Sequence, residues 1–123
     1  MIALAMLMQS GTASPIEGKW TNPTRSVTIE IAACGAAWCG TVIAASDKAK
    51  ADAARGGTTQ LVGAQLLSGF TARRAQWRGK LFVPDMNKRF SAQLQVVGQN
   101  SLKVRGCAVG GAICKSQLWS RVS

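Results

Sequence analysis

Apolar and polar residues alternate in short runs along most of this 123-residue chain, and Gly, Pro, Asn and Asp separate the runs. A period of two is the mark of half-buried antiparallel strands. Ile16 to Thr21 predicts a short first strand that Asn22-Pro23 ends, because proline lacks the donor a ladder needs. Ser26 to Ala33 alternates cleanly, with Val27, Ile29 and Ile31 on one face and Thr28 and Glu30 on the other. A four-residue loop at Gly35-Ala36-Ala37-Trp38 then sets Val42 opposite Ile31, Ala44 opposite Ile29 and Cys34 opposite Cys39.

The last hairpin turns on Gly110-Gly111, whose glycines accept the positive φ that two-residue hairpin loops require. Counting outward pairs Cys107 with Cys114 and puts Leu102, Val104, Gln117, Trp119 and Arg121 on the inner face. Between these hairpins, Arg78 to Val97 folds around Pro84-Asp85-Met86-Asn87-Lys88. A two- or four-residue turn gathers Trp77, Leu81, Val83, Phe90, Ala92, Leu94 and Val96 on one side, whereas a three-residue turn mixes the faces. Leu61 to Phe70 adds one strand, and Ser46 to Gly57 departs from the pattern. Ser46 is a suitable N-cap, residues 49–54 are alanine-rich and Gly56-Gly57 stops a helix. Eight strands result, at about 16–21, 26–33, 39–45, 61–70, 77–84, 89–97, 101–107 and 114–121. Up-and-down order with tight turns predicts an all-β, closed antiparallel barrel with one short helix near 46–57.

Residues 1–13 carry no charged side chain and end in Gly11-Thr12-Ala13 before Ser14-Pro15, which suits a signal peptide cut after Ala13. Residues 14–123 are then one barrel domain, periplasmic or secreted, with no segment apolar for long enough to span a bilayer. Export favours disulfides, Cys34 with Cys39 and Cys107 with Cys114, over a four-cysteine zinc site, whose knuckle spacing is tighter. Directly opposed, non-hydrogen-bonded residues have α-carbons about 4.5 Å apart, within reach of such a bond. The net charge of +10 comes from 15 Lys and Arg scattered against five acids. It points to a basic solvated shell with attraction to an anionic envelope surface, and without tyrosine for stacking it does not suggest a nucleic-acid binder.

Several local motifs coincide with those of one family. They are Gly18-Lys19-Trp20, Cys34-Gly35 with Cys39-Gly40, Leu61-Val62-Gly63, Trp77-Arg78-Gly79-Lys80, Pro84-Asp85, and Val104-Arg105-Gly106 with Trp119-Ser120-Arg121. Together they resemble the bacterial domain of unknown function 2147 family across nearly all of the mature chain. The resemblance implies an exported lipocalin-like barrel and brings no established reaction. Two residues depart from its pattern, Asn87 where glycine is common and Phe90 where tyrosine is usual. The alanine-rich stretch 46–57 stands in place of the family's acidic loop.

Catalysis has few parts here: no histidine, paired cysteines, and no two of Glu17, Glu30, Asp47, Asp52 and Asp85 predicted on one inner face. Neither a metal nor a cofactor is expected, and the chain does not read as an enzyme. A binding module fits better. Gly18, Trp20, Trp119 and Arg121 are assigned to a structural floor, with the Arg121 guanidinium across the Trp20 indole. Strand parity then puts Asn22–Arg25, Ser46–Gln60, Asp85–Lys88 and Ala108–Ile113 at the opposite, open end. Ile29, Ile31, Leu66, Trp77, Phe90, Leu94 and Val104 line the interior, with Lys115 and Gln117 rising toward the mouth. Trp77, Phe90, Leu94, Val104, Lys115 and Gln117 are the candidate contacts for a small apolar or amphiphilic ligand. A barrel of this size can instead be filled by its own side chains; it would then be an interaction module that meets an anionic envelope component through its basic exterior.

Overall fold

The computed structural model describes residues 14–108 and 110–122, so the signal peptide expected at 1–13 lies outside the described residues. Its strands are β1 (Gly18–Thr21), β2 (Val27–Cys34), β3 (Ala37–Ala45), β4 (Gln65–Arg73), β5 (Gln76–Val83), β6 (Lys88–Val97), β7 (Ser101–Ala108) and β8 (Ile113–Val122). Each pairs antiparallel with the next, and β1 pairs with β8 to close an eight-stranded barrel. A helix, α1 (Asp47–Arg55), stands between β3 and β4. The Ser46 side chain caps its first turn by accepting from the Ala49 amide.

Two hairpins follow the predicted registers. Val83 pairs with Lys88 around a four-residue turn, and Leu81 with Phe90. In the last hairpin Cys107 pairs with Cys114, Val104 with Gln117 and Leu102 with Trp119.

The β2–β3 register is corrected. Gly35-Ala36 is a two-residue turn, so Cys34 faces Ala37, Ala32 faces Cys39, Ile29 faces Val42 and Ile31 faces Gly40. Gly35 takes φ 66°, as the first position of a type II′ hairpin turn demands. Cys34 and Cys39 are therefore diagonal neighbours, and at an α-carbon separation of 5.9 Å they still form a disulfide. Cys107 and Cys114 form the second, at the other end of the barrel.

The fourth strand begins later than its pattern suggests. Leu61 to Ala64 form a turn closed by the Ala64 amide donating to the Leu61 carbonyl, with Gly63 at φ 97°. Two irregularities then reshape β4. The pairing slips between Gly40 and Thr41 of β3, which leaves Leu66 and Leu67 both buried although adjacent in sequence. Next, Gly69 and Phe70 together oppose Gly79, with Gly69 at φ 65°, a glycine bulge that turns the Phe70 ring into the core.

The interior has two parts. Around the floor it is solid: Trp20, Phe70, Leu102, Ile29, Ile31, Val42 and Leu94 are each at most 1% exposed. Toward α1 and the four loops it opens into a cavity.

The crosslink at the open end braces the β7–β8 hairpin. On the chain-entropy model a loop this short is worth about 2 kcal/mol. Replacing Cys107 and Cys114 together with serine should lower the urea-unfolding free energy by about that amount; an unchanged midpoint would show that the hairpin register holds the end unaided.

Candidate ligand cavity and its floor

At the floor, the sequence supplies one long cation whose position is fixed from both sides. Arg121 pairs with Trp20 across the β1–β8 seam, and its guanidinium lies 4.2 Å from the centre of the indole. From there it donates to the carbonyls of Pro15 (2.9 Å), Glu17 (3.0 Å) and Gln99 (3.3 Å). The Trp20 Nε1 donates to the Ile16 carbonyl at 2.9 Å, so a wholly buried indole keeps its polar atom satisfied. Gly18 is required here twice over, by φ 129° and because a β-carbon would stand 2.7 Å from the Arg121 guanidinium. One side chain thus ties the segment before β1, the β6–β7 turn and the last strand together.

The opposite end is built differently. Four connections converge there: residues 22–26, the α1 segment, the 84–87 turn and the β7–β8 turn. Asn22 orders the first by accepting through Oδ1 from the amides of Ser26 and Val27. The α1 segment docks on the third, since Thr58 Oγ1 donates to the Pro84 carbonyl and Gly56 packs against the Asp85 backbone. A β-carbon at Gly56 would overlap that backbone, so the contact admits only glycine.

Beneath these loops lies a cavity of about 1100 Å³. Val27, Leu61, Leu66, Leu81, Phe90, Val104 and Trp119 supply its apolar wall. Polar groups concentrate nearer the rim, among them Arg25, Lys48, Asp52, Asp85 and Lys115. Asp52 is engaged by both Lys48, at 2.9 Å, and Arg55. The hydrogen bond from Lys48 holds its carboxyl below the ordinary carboxylate range, against an opposing cost of desolvation.

Of the six candidate contacts, Phe90, Val104, Lys115 and Gln117 line the cavity. Trp77 and Leu94 do not. Trp77 pairs with Ala72 and Leu94 near the β4–β5 turn, at the floor end, and packs partly buried against the solid core. Leu94 is sealed within that core at 1% exposure, as are Ile29 and Ile31. Facing inward is therefore not the same as facing the cavity, because Phe70 and Leu67 fill the lower barrel over Gly79 and Gly40. Trp119 has a double place: assigned to the floor, it also lines the cavity and donates from Nε1 to Gln117 Oε1 at 3.1 Å. Leu61, in a turn, and Ala49, on α1, join the wall without strand parity to announce them. Asp52 and Asp85 both stand at the rim, on the helix and a turn, where an inner-face count of strands does not reach.

The profile of a family described as "Uncharacterized protein conserved in bacteria (DUF2147)" matches residues 18–121. The chain belongs to that family. No curated protein matches it. Among solved structures, the barrel is similar to protein HP1028 from the human pathogen Helicobacter pylori, described as belonging to the lipocalin family. The TM-score is 0.67 with 15% identity, over 88% of this chain and 83% of that one. The two share a fold, a lipocalin-like eight-stranded barrel.

In this DUF2147 barrel the short motifs acquire physical reasons. Gly18-Lys19-Trp20 and Arg121 make the floor staple. The glycine of Trp77-Arg78-Gly79-Lys80 leaves room for the Phe70 ring, and Pro84-Asp85 is the landing point for α1. Asn87 takes φ 53°, which asparagine tolerates better than most residues.

Proposed function

We propose that this protein is a binding barrel that holds a small apolar or amphiphilic molecule in the upper part of its interior. The observation that carries this reading is the cavity of about 1100 Å³, apolar in its wall and reached through the loop end. Ligand sites are typically concave, mostly apolar and of about 300–1,000 Å³, with a few placed polar groups. The lipocalin-family neighbour supports the reading through its fold. The cavity favours this reading over the alternative of a filled-core interaction module.

Binding without turnover is part of the proposal. The chain has no histidine, its four cysteines are all in disulfides, and Asp52 is engaged by two cations. The same disulfides, in a bacterial family, support a periplasmic or secreted location. No helix among the described residues is long and apolar enough to cross a membrane.

Val104 lines the cavity but is 6% exposed and packed by core neighbours on its other sides, so a larger side chain there takes space from the cavity at some cost in packing. With an uncharged naphthylamine dye, the wild type should give a saturable, blue-shifted rise in fluorescence. Val104→Trp should abolish most of that rise while the protein keeps a cooperative thermal transition, lowered by the overpacking. Equal signals from both proteins would place the dye outside the barrel.

A further inference from the structure

We infer that the molecule held in this cavity is a single-chain amphiphile with an anionic, oxygen-rich head, and that Lys115 fixes the head. This rests on the binding-barrel reading above. The inner side of β8, from the mouth inward, presents Ile113, Lys115, Gln117 and Trp119, because alternate residues of a strand share a face. Lys115 pairs with Gly106, and the Leu81 side chain lies over that glycine, so the apolar wall begins directly beside the lysine stem. Among the described residues Lys115 has no ion-pair partner; the two ion pairs both belong to Asp52, with Lys48 and Arg55.

Gln117 adds a second argument. An indole N–H can only donate, so the contact with Trp119 Nε1 assigns the Gln117 amide oxygen to that side. Its NH₂ group is left to donate elsewhere. The polar step between rim and apolar wall therefore offers a cation and amide donors, a set that satisfies acceptor oxygens and suits a carboxylate or phosphate. A cationic head would be repelled by Lys115, and a free anion would leave Leu66, Leu81, Phe90 and Val104 uncovered. From Lys115 to Trp119 is four residues of strand, a span of about 13 Å at ~3.3 Å per residue, which sets the depth open to an extended chain.

The test is displacement of the uncharged naphthylamine dye by amphiphiles of equal chain length: dodecanoate, dodecyl phosphate, dodecanol and dodecyltrimethylammonium, all below their micellar concentrations. Dodecanoate or dodecyl phosphate should compete about tenfold better than dodecanol, the ammonium worst of all. Whichever anion competes better names the head as carboxylate or phosphate. Lys115→Gln should reduce that preference to the level of dodecanol, and Lys115→Arg should retain most of it. Dodecanol matching both anions, or an unchanged preference in Lys115→Gln, would overturn the assignment of the head. Failure of the dye itself to bind the wild type would overturn the binding-barrel reading beneath it.

Discussion

Arg121→Ala is expected to destabilise the protein by about 3 kcal/mol, on the order of 10 °C in melting temperature for a domain of this size. An arginine over an indole contributes about 0.5–2 kcal/mol, and hydrogen bonds to a charged group about 1.5–3 kcal/mol each. The three carbonyls of Pro15, Glu17 and Gln99 share one partly exposed guanidinium, so their contributions do not simply add. Lysine at this position keeps the charge and loses the planar fork, so Arg121→Lys should recover only part of the loss. Because neither Arg121 nor Trp20 lines the cavity, dye affinity measured well below the melting temperature should be unchanged in Arg121→Ala. A variant that melts normally and loses dye binding would reverse the division of labour between the two ends.

Gly79→Val should cost a similar amount, about 3 kcal/mol, through overpacking. The added β-carbon would stand 2.7 Å from two atoms of the Phe70 ring and 2.7 Å from the Ser68 carbonyl oxygen. Phe70 is fully buried and set by the Gly69 bulge, so neither the ring nor the backbone can yield cheaply. Pairing the change with Phe70→Leu gives a double-mutant cycle. The expected result is favourable coupling, with the second substitution relieving part of the first. Strict additivity would mean that Gly79 is needed for some reason other than the ring lying on it.

Much of this barrel is legible in the chain because its hairpins carry two independent signals that agree. In β7–β8, Gly110-Gly111 sets the turn while Leu102, Val104 and Trp119 set the buried face, and both give Cys107 opposite Cys114. In β5–β6 the buried face excludes a three-residue turn and leaves two or four, of which the structure has four. The β2–β3 hairpin was misread because a two- and a four-residue turn bury the same face; Gly35 at φ 66° closes the shorter one, and the disulfide spans a diagonal. A bulge is harder still, because it breaks the period on which inference depends. Leu66-Leu67 and Gly69-Phe70 do so twice in β4. That is also why the cavity was only half legible. Parity identifies inward residues such as Leu94 and Trp77, but whether an inward residue meets cavity or core depends on what fills the lower barrel, here Phe70 from a bulged strand.

The central claim is that the upper barrel holds a ligand, and native mass spectrometry of protein purified from its bacterial host, without delipidation, tests it most directly. The expected result is a wild-type mass in excess of the polypeptide by one small molecule, released on denaturation into the organic phase and missing from Val104→Trp. The polypeptide mass alone for both proteins, in preparations whose wild type also fails to take up the dye, would contradict it.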